Sequence, residues 1–135
     1  YQEIRTPILE ETDLFIKSIG NGTDIVEKEM FTFTDSKKNS FSMRPEGTAS
    51  CARAIIENSL NESINRLWYL GPFFRHERPQ KGRYRQFHQF GAELIGIENY
   101  EADVEIISIV EYIWNTLDNF WNYKFCAQNI GLHIK

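Results

Sequence analysis

Residues 73–96 read FFRHERPQKGRYRQFHQFGAELIG, and this stretch decides how the 135-residue chain folds. Residues 67–74 and 86–95 are rich in aromatic and aliphatic side chains and flank a polar loop, which predicts two strands joined as a hairpin. Alternate residues of a strand share one face. In the second strand one face therefore carries Phe87, Gln89, Gly91, Glu93 and Ile95. This mixture is a poor core and suits a ligand-binding surface.

The loop between the two strands concentrates positive charge. One third of the basic residues lie in positions 75–85, where Glu77 is the only acid: Arg75, Arg78, Lys81, Arg83 and Arg85. Like charges repel unless an anion lies among them. Arginine also makes the bidentate contacts with phosphate that lysine cannot make. The loop therefore predicts a polyphosphate site, although a solvated surface hairpin is an alternative that these residues leave open.

Acidic residues face this loop from two directions. Glu46 lies in the turn RPEGT, residues 44–48, and Glu93 shares a strand face with Gln89 and Phe87. Carboxylates suit a substrate that bears an ammonium or imidazolium group, because a buried charge has to be paired. Phosphate and amine sites together suggest ATP and an amino acid. The alternatives are core packing for Phe87 and, for Glu46 and Thr48, a helix cap in which Thr48 caps the next turn.

The first half of the chain alternates short strands and helices. Residues 1–10 are expected to be extended and to form an edge strand, since Pro7 removes a donor. Thr12 is expected to cap a short helix that buries Phe15 and ends at Gly20. Residues 30–33 and 41–43 predict a hairpin in which Phe31 and Phe33 share one face.

Two further helices are expected. Thr48 opens one whose apolar positions follow helical spacing: Cys51, Ala52, Ile55, Ile56 and Leu60. The other begins near Asn99 and is expected to be the main packing helix, because a wide apolar stripe runs along it: Val104, Ile107, Val110, Trp114, Leu117 and Trp121. Together the elements predict an α+β fold, an antiparallel sheet flanked by helices on one face, with the other face open to substrate.

Composition narrows the class of protein. The net charge of −4 excludes a general nucleic-acid-binding role for the whole chain. No targeting segment and no apolar run near ~18 residues occurs, so an intracellular, soluble protein is expected. Cys51 and Cys126 lack paired metal or redox spacing and are expected to be buried, reduced thiols. The start at Tyr1 and the end inside an apolar alternation are interpreted as those of a fragment.

Three segments resemble a known family. Residues 73–96 resemble the second signature motif of class II aminoacyl-tRNA synthetases in its histidyl form. RPEGT resembles the amino-acid-binding turn of the histidyl-tRNA synthetases, and YQEIRTPILEETDLF, residues 1–15, resembles the end of the first class II motif, which contributes to a dimer interface. The resemblance implies that residues 1–135 are an incomplete class II catalytic core, without the third motif and the anticodon-binding domain.

The resemblance also implies a role for each matching residue. Arg75 would contact the α-phosphate of ATP and stabilise the transition state, and Arg83 would hold the β- and γ-phosphates and adjoin the histidine site. Glu77 would read the adenine amino group, and Phe87 would stack on adenine. The residues that would hold the histidine are Glu46, Thr48, Arg83, Gln89 and Glu93. Of these, Glu93 would bind the imidazole.

The implied reaction is activation of histidine by ATP to histidyl-adenylate, followed by transfer to tRNA(His). Mg²⁺ would be bound through the phosphates, with no protein metal ligands among His76, His88 and His133. A cytoplasmic homodimer is expected. The alternative is a synthetase-like regulatory subunit of ATP phosphoribosyltransferase, which predicts that the ATP-binding positions have been lost, whereas here they match. A plain protein-interaction module would leave the cationic loop unexplained.

Overall fold

The computed structural model describes residues 1–78 and 80–117. Its strands and helices, in chain order, are β1 (Gln2–Glu3), β2 (Leu9–Glu11), α1 (Thr12–Ile19), a π-helical turn (Ile25–Glu29), β3 (Thr32–Thr34), β4 (Ser40–Met43), α2 (Thr48–Glu57), β5 (Asn65–Phe74), β6 (Gln86–Ile95) and α3 (Tyr100–Leu117). The expected α+β class is confirmed.

The larger sheet has the strand order β1-β5-β6. Strands β5 and β6 pair antiparallel along their full length, with Tyr69 opposite Gly91 and Gly71 opposite Gln89, so the predicted hairpin is confirmed. The expectation of a purely antiparallel sheet is wrong, because β1 runs parallel to β5. The extended segment 1–10 contributes to two sheets, since its end enters β2.

The smaller sheet has the order β2-β4-β3, with both pairs antiparallel. The β3–β4 turn is held by the Asp35 carboxylate, which accepts hydrogen bonds from the backbone N–H groups of Lys37 and Asn39, both at 2.8 Å. The expectation that Phe31 and Phe33 share one strand face stays a prediction, and the pairing does continue to Phe31, whose carbonyl oxygen accepts a hydrogen bond from the Met43 N–H at 2.9 Å. Phe31 precedes β3 and meets the His76 ring edge to face at 5.4 Å, whereas Phe33 lies in the strand and is half exposed.

Helix α1 ends at Gly20 as predicted, with φ at +96°, but Thr12 does not cap its start. Thr12 is the first helical residue, and its hydroxyl lies 2.8 Å from the Ser40 hydroxyl and 3.0 Å from the Ser42 hydroxyl. Its polar group is thereby satisfied by β4. The helix is anchored to the smaller sheet, and Phe15 is fully buried.

The core under the larger sheet is formed by Cys51, Tyr69 and Phe73, with Ile4 and Phe87 packed against it. Helix α2 begins at Thr48 as predicted and buries Cys51 and Ile55. Ile56 was expected in the core but is 69% exposed, because it projects from the opposite side of the helix.

Helix α3 does not bury its apolar stripe within the described part of the chain. None of its residues is buried, and Val104, Trp114 and Leu117 are exposed. Among the described residues α3 packs mainly along β6, so the expectation of a main packing helix is wrong for that part of the chain. A bidentate ion pair from Arg66 in β5 to Glu105, at 2.7 and 2.9 Å, fixes α3 to the sheet. Trp121, Cys126 and His133 lie outside the described residues.

Candidate functional site

A cavity of about 630 Å³ opens between β6, α3 and the end of α1. Its polar wall brings together residues that the sequence placed in one site: Glu46, Thr48, Arg75, Gln89 and Glu93. Its apolar wall comes from α3 and includes Ile106, Ile109, Val110, Ile113 and Trp114. Glu77, Arg83 and Phe87 are not part of this lining. The cavity therefore unites the proposed amino-acid pocket with one of the two arginines.

The turn 44–48 is fixed in place by its first residue. Arg44 is buried and donates from Nε to the carbonyl oxygen of Pro72 at 2.9 Å and from Nη1 to the carbonyl oxygen of Thr6 at 2.9 Å. Its guanidinium also lies 4.5 Å from the centre of the Phe73 ring. Burial lowers the pKa of Arg44. This anchoring role was not found in the sequence, because the partners of Arg44 are backbone carbonyl oxygens far from it in the chain.

Glu46 caps helix α2. Its carboxylate accepts hydrogen bonds from the backbone N–H of Thr48 at 2.6 Å and of Ala49 at 3.0 Å. The capping alternative is therefore half right: the helix start is capped, but by Glu46 and not by Thr48, which is the first helical residue. A negative charge is stabilised at this end of a helix. The cap holds the Glu46 carboxylate at the cavity wall.

Glu93 is linked to the start of α2 across the cavity. The Thr48 hydroxyl donates to Glu93 Oε1 at 2.8 Å, and the Tyr69 hydroxyl donates to the same oxygen at 3.3 Å. Tyr69 also lines the cavity, and sequence analysis missed it. The predicted hairpin was the available signal, since its observed register places Tyr69 directly opposite Gly91.

Arg75 begins the basic loop and faces the cavity. Its Nε donates to the carbonyl oxygen of Pro45 at 2.9 Å, and its backbone N–H donates to the carbonyl oxygen of Arg85 at 3.0 Å. The guanidinium lies 5.5 Å from the centre of the Phe87 ring. These two hydrogen bonds hold the side chain and the backbone of Arg75. They therefore also fix where its remaining guanidinium N–H donors lie.

Phe87 joins the core to the loop. Its ring is stacked on Phe73 with a centroid distance of 6.2 Å and an interplanar angle of 29°. The core-packing alternative therefore describes one contact of the Phe87 ring, while the Arg75 guanidinium lies over the ring as well. A contact with adenine requires a change in this arrangement or use of the ring edge.

Glu77 lies between the two arginines of the predicted phosphate site. Its Oε2 is 3.1 Å from Nη1 of Arg83, and its Oε1 is 4.0 Å from Nη1 of Arg75. Gly82, with φ at +83°, allows the tight turn in which the Arg83 N–H donates to the Gln80 carbonyl oxygen at 2.9 Å. The Glu77 carboxylate therefore offsets part of the repulsion between the basic side chains, which a bound anion alone was expected to offset.

Two acidic residues of the cavity wall, Glu46 and Glu93, also affect the pKa of the Cys51 thiol. Cys51 is fully buried, and burial, followed by the negative charges of Glu93 and Glu46, raises the pKa of its thiol to about 12. The expected buried, reduced thiol is confirmed for Cys51. Over residues 1–78 and 80–117, no three His, Cys, Asp or Glu side chains are grouped so that they could bind a metal ion. No helix in that part of the chain is long and apolar enough to cross a bilayer.

Comparisons with known proteins place this chain in a family. A family model for histidyl-tRNA synthetase matches residues 1–121. The chain is 53% identical, over 136 residues, to the histidine–tRNA ligase of Buchnera aphidicola subsp. Schizaphis graminum (strain Sg). The alignment covers 100% of this chain and 29% of that relative. The chain thus spans about 30% of the length of the curated relatives that it matches.

Two solved structures are similar in fold. The crystal structure of apo S. aureus histidyl-tRNA synthetase has a TM-score of 0.68 and 41% identity, over 87% of this chain and 30% of that one. A structure described as an ATP phosphoribosyltransferase regulatory subunit/histidyl-tRNA synthetase from Bacillus halodurans C has a TM-score of 0.69 and 28% identity, over 85% of this chain and 29% of that one. With the family model matching most of the sequence, the chain belongs to the histidyl-tRNA synthetase family.

Proposed function

We propose that the full-length protein containing this chain activates histidine with ATP and transfers it to tRNA(His). The observation that carries the proposal is the shared cavity, in which Arg75 stands on the same wall as Glu46 and Glu93. A cation for a phosphate and anions for a substrate ammonium or imidazole thereby line one cavity. Membership of the histidyl-tRNA synthetase family supports the same reaction.

The amino-acid side of the reaction uses the acidic wall. Glu46, already held at the start of α2, is proposed to bind the α-ammonium group together with Thr48 and Gln89. Glu93 is proposed to accept a hydrogen bond from the imidazole and so to select histidine. A site built to hydrogen-bond a substrate N–H strongly rejects analogues that lack it, because its own polar groups are then left unpaired.

The nucleotide side uses the loop. Arg75 is proposed to contact the α-phosphate and to stabilise the charge that develops when the histidine carboxylate attacks the α-phosphorus and pyrophosphate leaves. Because Arg75 is already oriented by Pro45, little reorganisation accompanies the reaction. Positioning and charge neutralisation therefore supply most of the catalysis.

Binding of the remaining phosphates requires a rearrangement within the loop. Arg83, which is 62% exposed, is paired with Glu77 in this structure. We infer that the β- and γ-phosphates replace Glu77 as the partner of Arg83. The Glu77 carboxylate then binds the adenine amino group, and Phe87 lies against the adenine ring. Mg²⁺ would accompany the triphosphate, bound by phosphate oxygens, and reduce its negative charge.

The remaining expectations concern the whole protein. Residues 1–135 are proposed to form the first part of a class II catalytic domain, which a third motif and an anticodon-binding domain complete. The segment 1–15 is proposed to contribute to a homodimer interface, and a cytoplasmic location fits a protein that charges tRNA. An ATP phosphoribosyltransferase regulatory role is a second candidate, which the 28%-identical Bacillus halodurans structure favours by its description.

Exchange of pyrophosphate into ATP by the full-length protein tests the proposal. We expect exchange that depends on histidine and is absent with glutamine, lysine or phenylalanine, and aminoacylation of tRNA(His) under the same conditions. Glu46→Gln is expected to abolish most of the exchange. Exchange supported equally by other amino acids would refute the specificity. A complete lack of exchange, together with stimulation of ATP phosphoribosyltransferase, would favour the second candidate.

A further inference from the structure

Tyr69 lies at the centre of β5, the strand that pairs with β6, and is 7% exposed. The tip of its ring approaches two glycines closely. A Cβ added at either Gly47 or Gly91 would lie less than 3.0 Å from the ring carbon Cζ and from the hydroxyl oxygen of Tyr69. The absence of a side chain at Gly47 in the turn and at Gly91 in β6 therefore leaves the space that this ring fills.

Among the described residues, the hydroxyl at the tip of that ring makes one side-chain hydrogen bond. It donates to Glu93 Oε1 at 3.3 Å, and the Thr48 hydroxyl donates to the same oxygen at 2.8 Å. Burial and the negative charge of Glu93 raise the pKa of Tyr69 well above its ordinary value. The phenol therefore keeps its proton throughout the neutral range and remains a donor.

We propose that Tyr69 is a positioning residue that sets the orientation of the Glu93 carboxylate and thereby contributes to selection of the imidazole side chain. This inference rests on the proposed histidine-activating function. It adds to that function a residue that belongs to neither the basic loop nor the turn 44–48.

The need for such a residue follows from the mobility of a glutamate head group. Rotation of a terminal carboxylate about its last bond is only weakly restricted. Two hydroxyl donors on one oxygen restrict it, and a buried network of this kind is worth more than its separate parts. The carboxylate plane is then fixed relative to β6, which carries Glu93 itself.

Thr48 has a second contact to make once the substrate is bound. Its hydroxyl has one proton, which it donates to Glu93, and lone pairs that can accept a hydrogen bond from the substrate ammonium group. The Thr48 hydroxyl is thus shared between the two ends of the histidine. The Tyr69 hydroxyl donates its one proton to Glu93, so it holds the carboxylate whatever Thr48 contacts.

Tyr69→Phe in the full-length protein tests the inference, because it removes the hydroxyl and keeps the ring between the glycines. We expect KM for histidine to rise by about threefold to tenfold, as for the net loss of one ordinary hydrogen bond, with KM for ATP unchanged. Selectivity for histidine over 3-thienylalanine, which lacks an imidazole N–H, is expected to fall by a similar factor. Tyr100→Phe, at an exposed tyrosine on α3, is the matched control.

Two results would overturn the inference. One is a Tyr69→Phe protein with unchanged KM and unchanged selectivity. The other is an equal rise of KM for histidine and for ATP, which would show a general structural role. If the unsubstituted protein shows no histidine-dependent exchange, the proposed function fails by itself. Calorimetric titration of histidine into both proteins then tests Tyr69, and equal affinities, or no binding to either, refute its role.

Discussion

Arg75 is bonded through its side-chain Nε to the carbonyl oxygen of Pro45, the residue that precedes Glu46 in the chain. The loop proposed to bind ATP and the turn proposed to bind the amino acid are therefore connected by one hydrogen bond of 2.9 Å. A shift of the turn moves the acceptor of Arg75. The two halves of the proposed reaction thus share a fixed reference point.

Replacement of Arg75 is expected to show whether this bond matters. Arg75→Ala in the full-length protein should lower the rate of adenylation by about 10²-fold or more, as for loss of one transition-state charge contact. Arg75→Lys should lose nearly as much, because lysine keeps the charge but lacks the Nε donor and the planar fork. Pyrophosphate exchange measures both, with Lys17→Ala, at an exposed residue of α1 outside the loop, as control. A near-normal rate for Arg75→Lys would contradict the positioning argument.

The close approach of Tyr69 to Gly91 predicts a specific double-mutant result. Gly91→Ala should destabilise the full-length protein by about 1–3 kcal/mol, because the new methyl group overlaps the ring. In a Tyr69→Leu background the same change should cost far less, since the ring tip is gone. Denaturant unfolding of the four proteins measures the coupling. Additive effects would show that the methyl group is accommodated without contact with Tyr69.

Arg44 is expected to be important for stability. Arg44→Lys loses the paired geometry that reaches both Pro72 and Thr6, and it loses the stacking on Phe73. The expected loss is about 2 kcal/mol, as for hydrogen bonds to a buried charge. Thermal and denaturant unfolding of the full-length protein measure it, with exposed Arg78→Lys as the control. Equal stability of the two variants would exclude the anchoring role.

The Cys51 thiol provides a test that depends on pH. Since its pKa is raised to about 12 from 9.0, it remains protonated at pH 8. Alkylation of native Cys51 by iodoacetamide should then be on the order of 10²-fold or more slower than in urea-unfolded protein, because only the thiolate reacts. Mass spectrometry of the Cys51 peptide measures the rates. Equal rates would show that the thiol is accessible.

The sign of the related stability effect is also fixed. Above pH 9 the unfolded thiol ionises while the folded thiol keeps its proton up to about pH 12. The unfolded state therefore binds fewer protons in that window, and the contribution of Cys51 to stability is lost as the pH rises through it. A Cys51→Ala variant should show a smaller decrease in stability between pH 9 and pH 11 than the unsubstituted protein.

Local sequence determined the elements that bear the site. The two runs of residues on either side of a charged loop were sufficient to predict β5 and β6, because period-two alternation and turn chemistry act over a few residues. The start of α2 at Thr48 and the end of α1 at Gly20 followed from backbone preferences in the same way. Glu46 and Glu93 were placed near the loop by strand parity and by the turn.

Only the tertiary structure decided which partner each polar group takes. Thr48 and Tyr69 both reach Glu93, and Arg44 holds the turn against β5. These contacts join residues far apart in the chain, and no local preference encodes them. The apolar stripe of α3 makes the same point, since periodicity predicts a buried face but only packed neighbours can bury it. The sequence thus determined the segments and their chemistry, while the packing of distant segments decided the pairings.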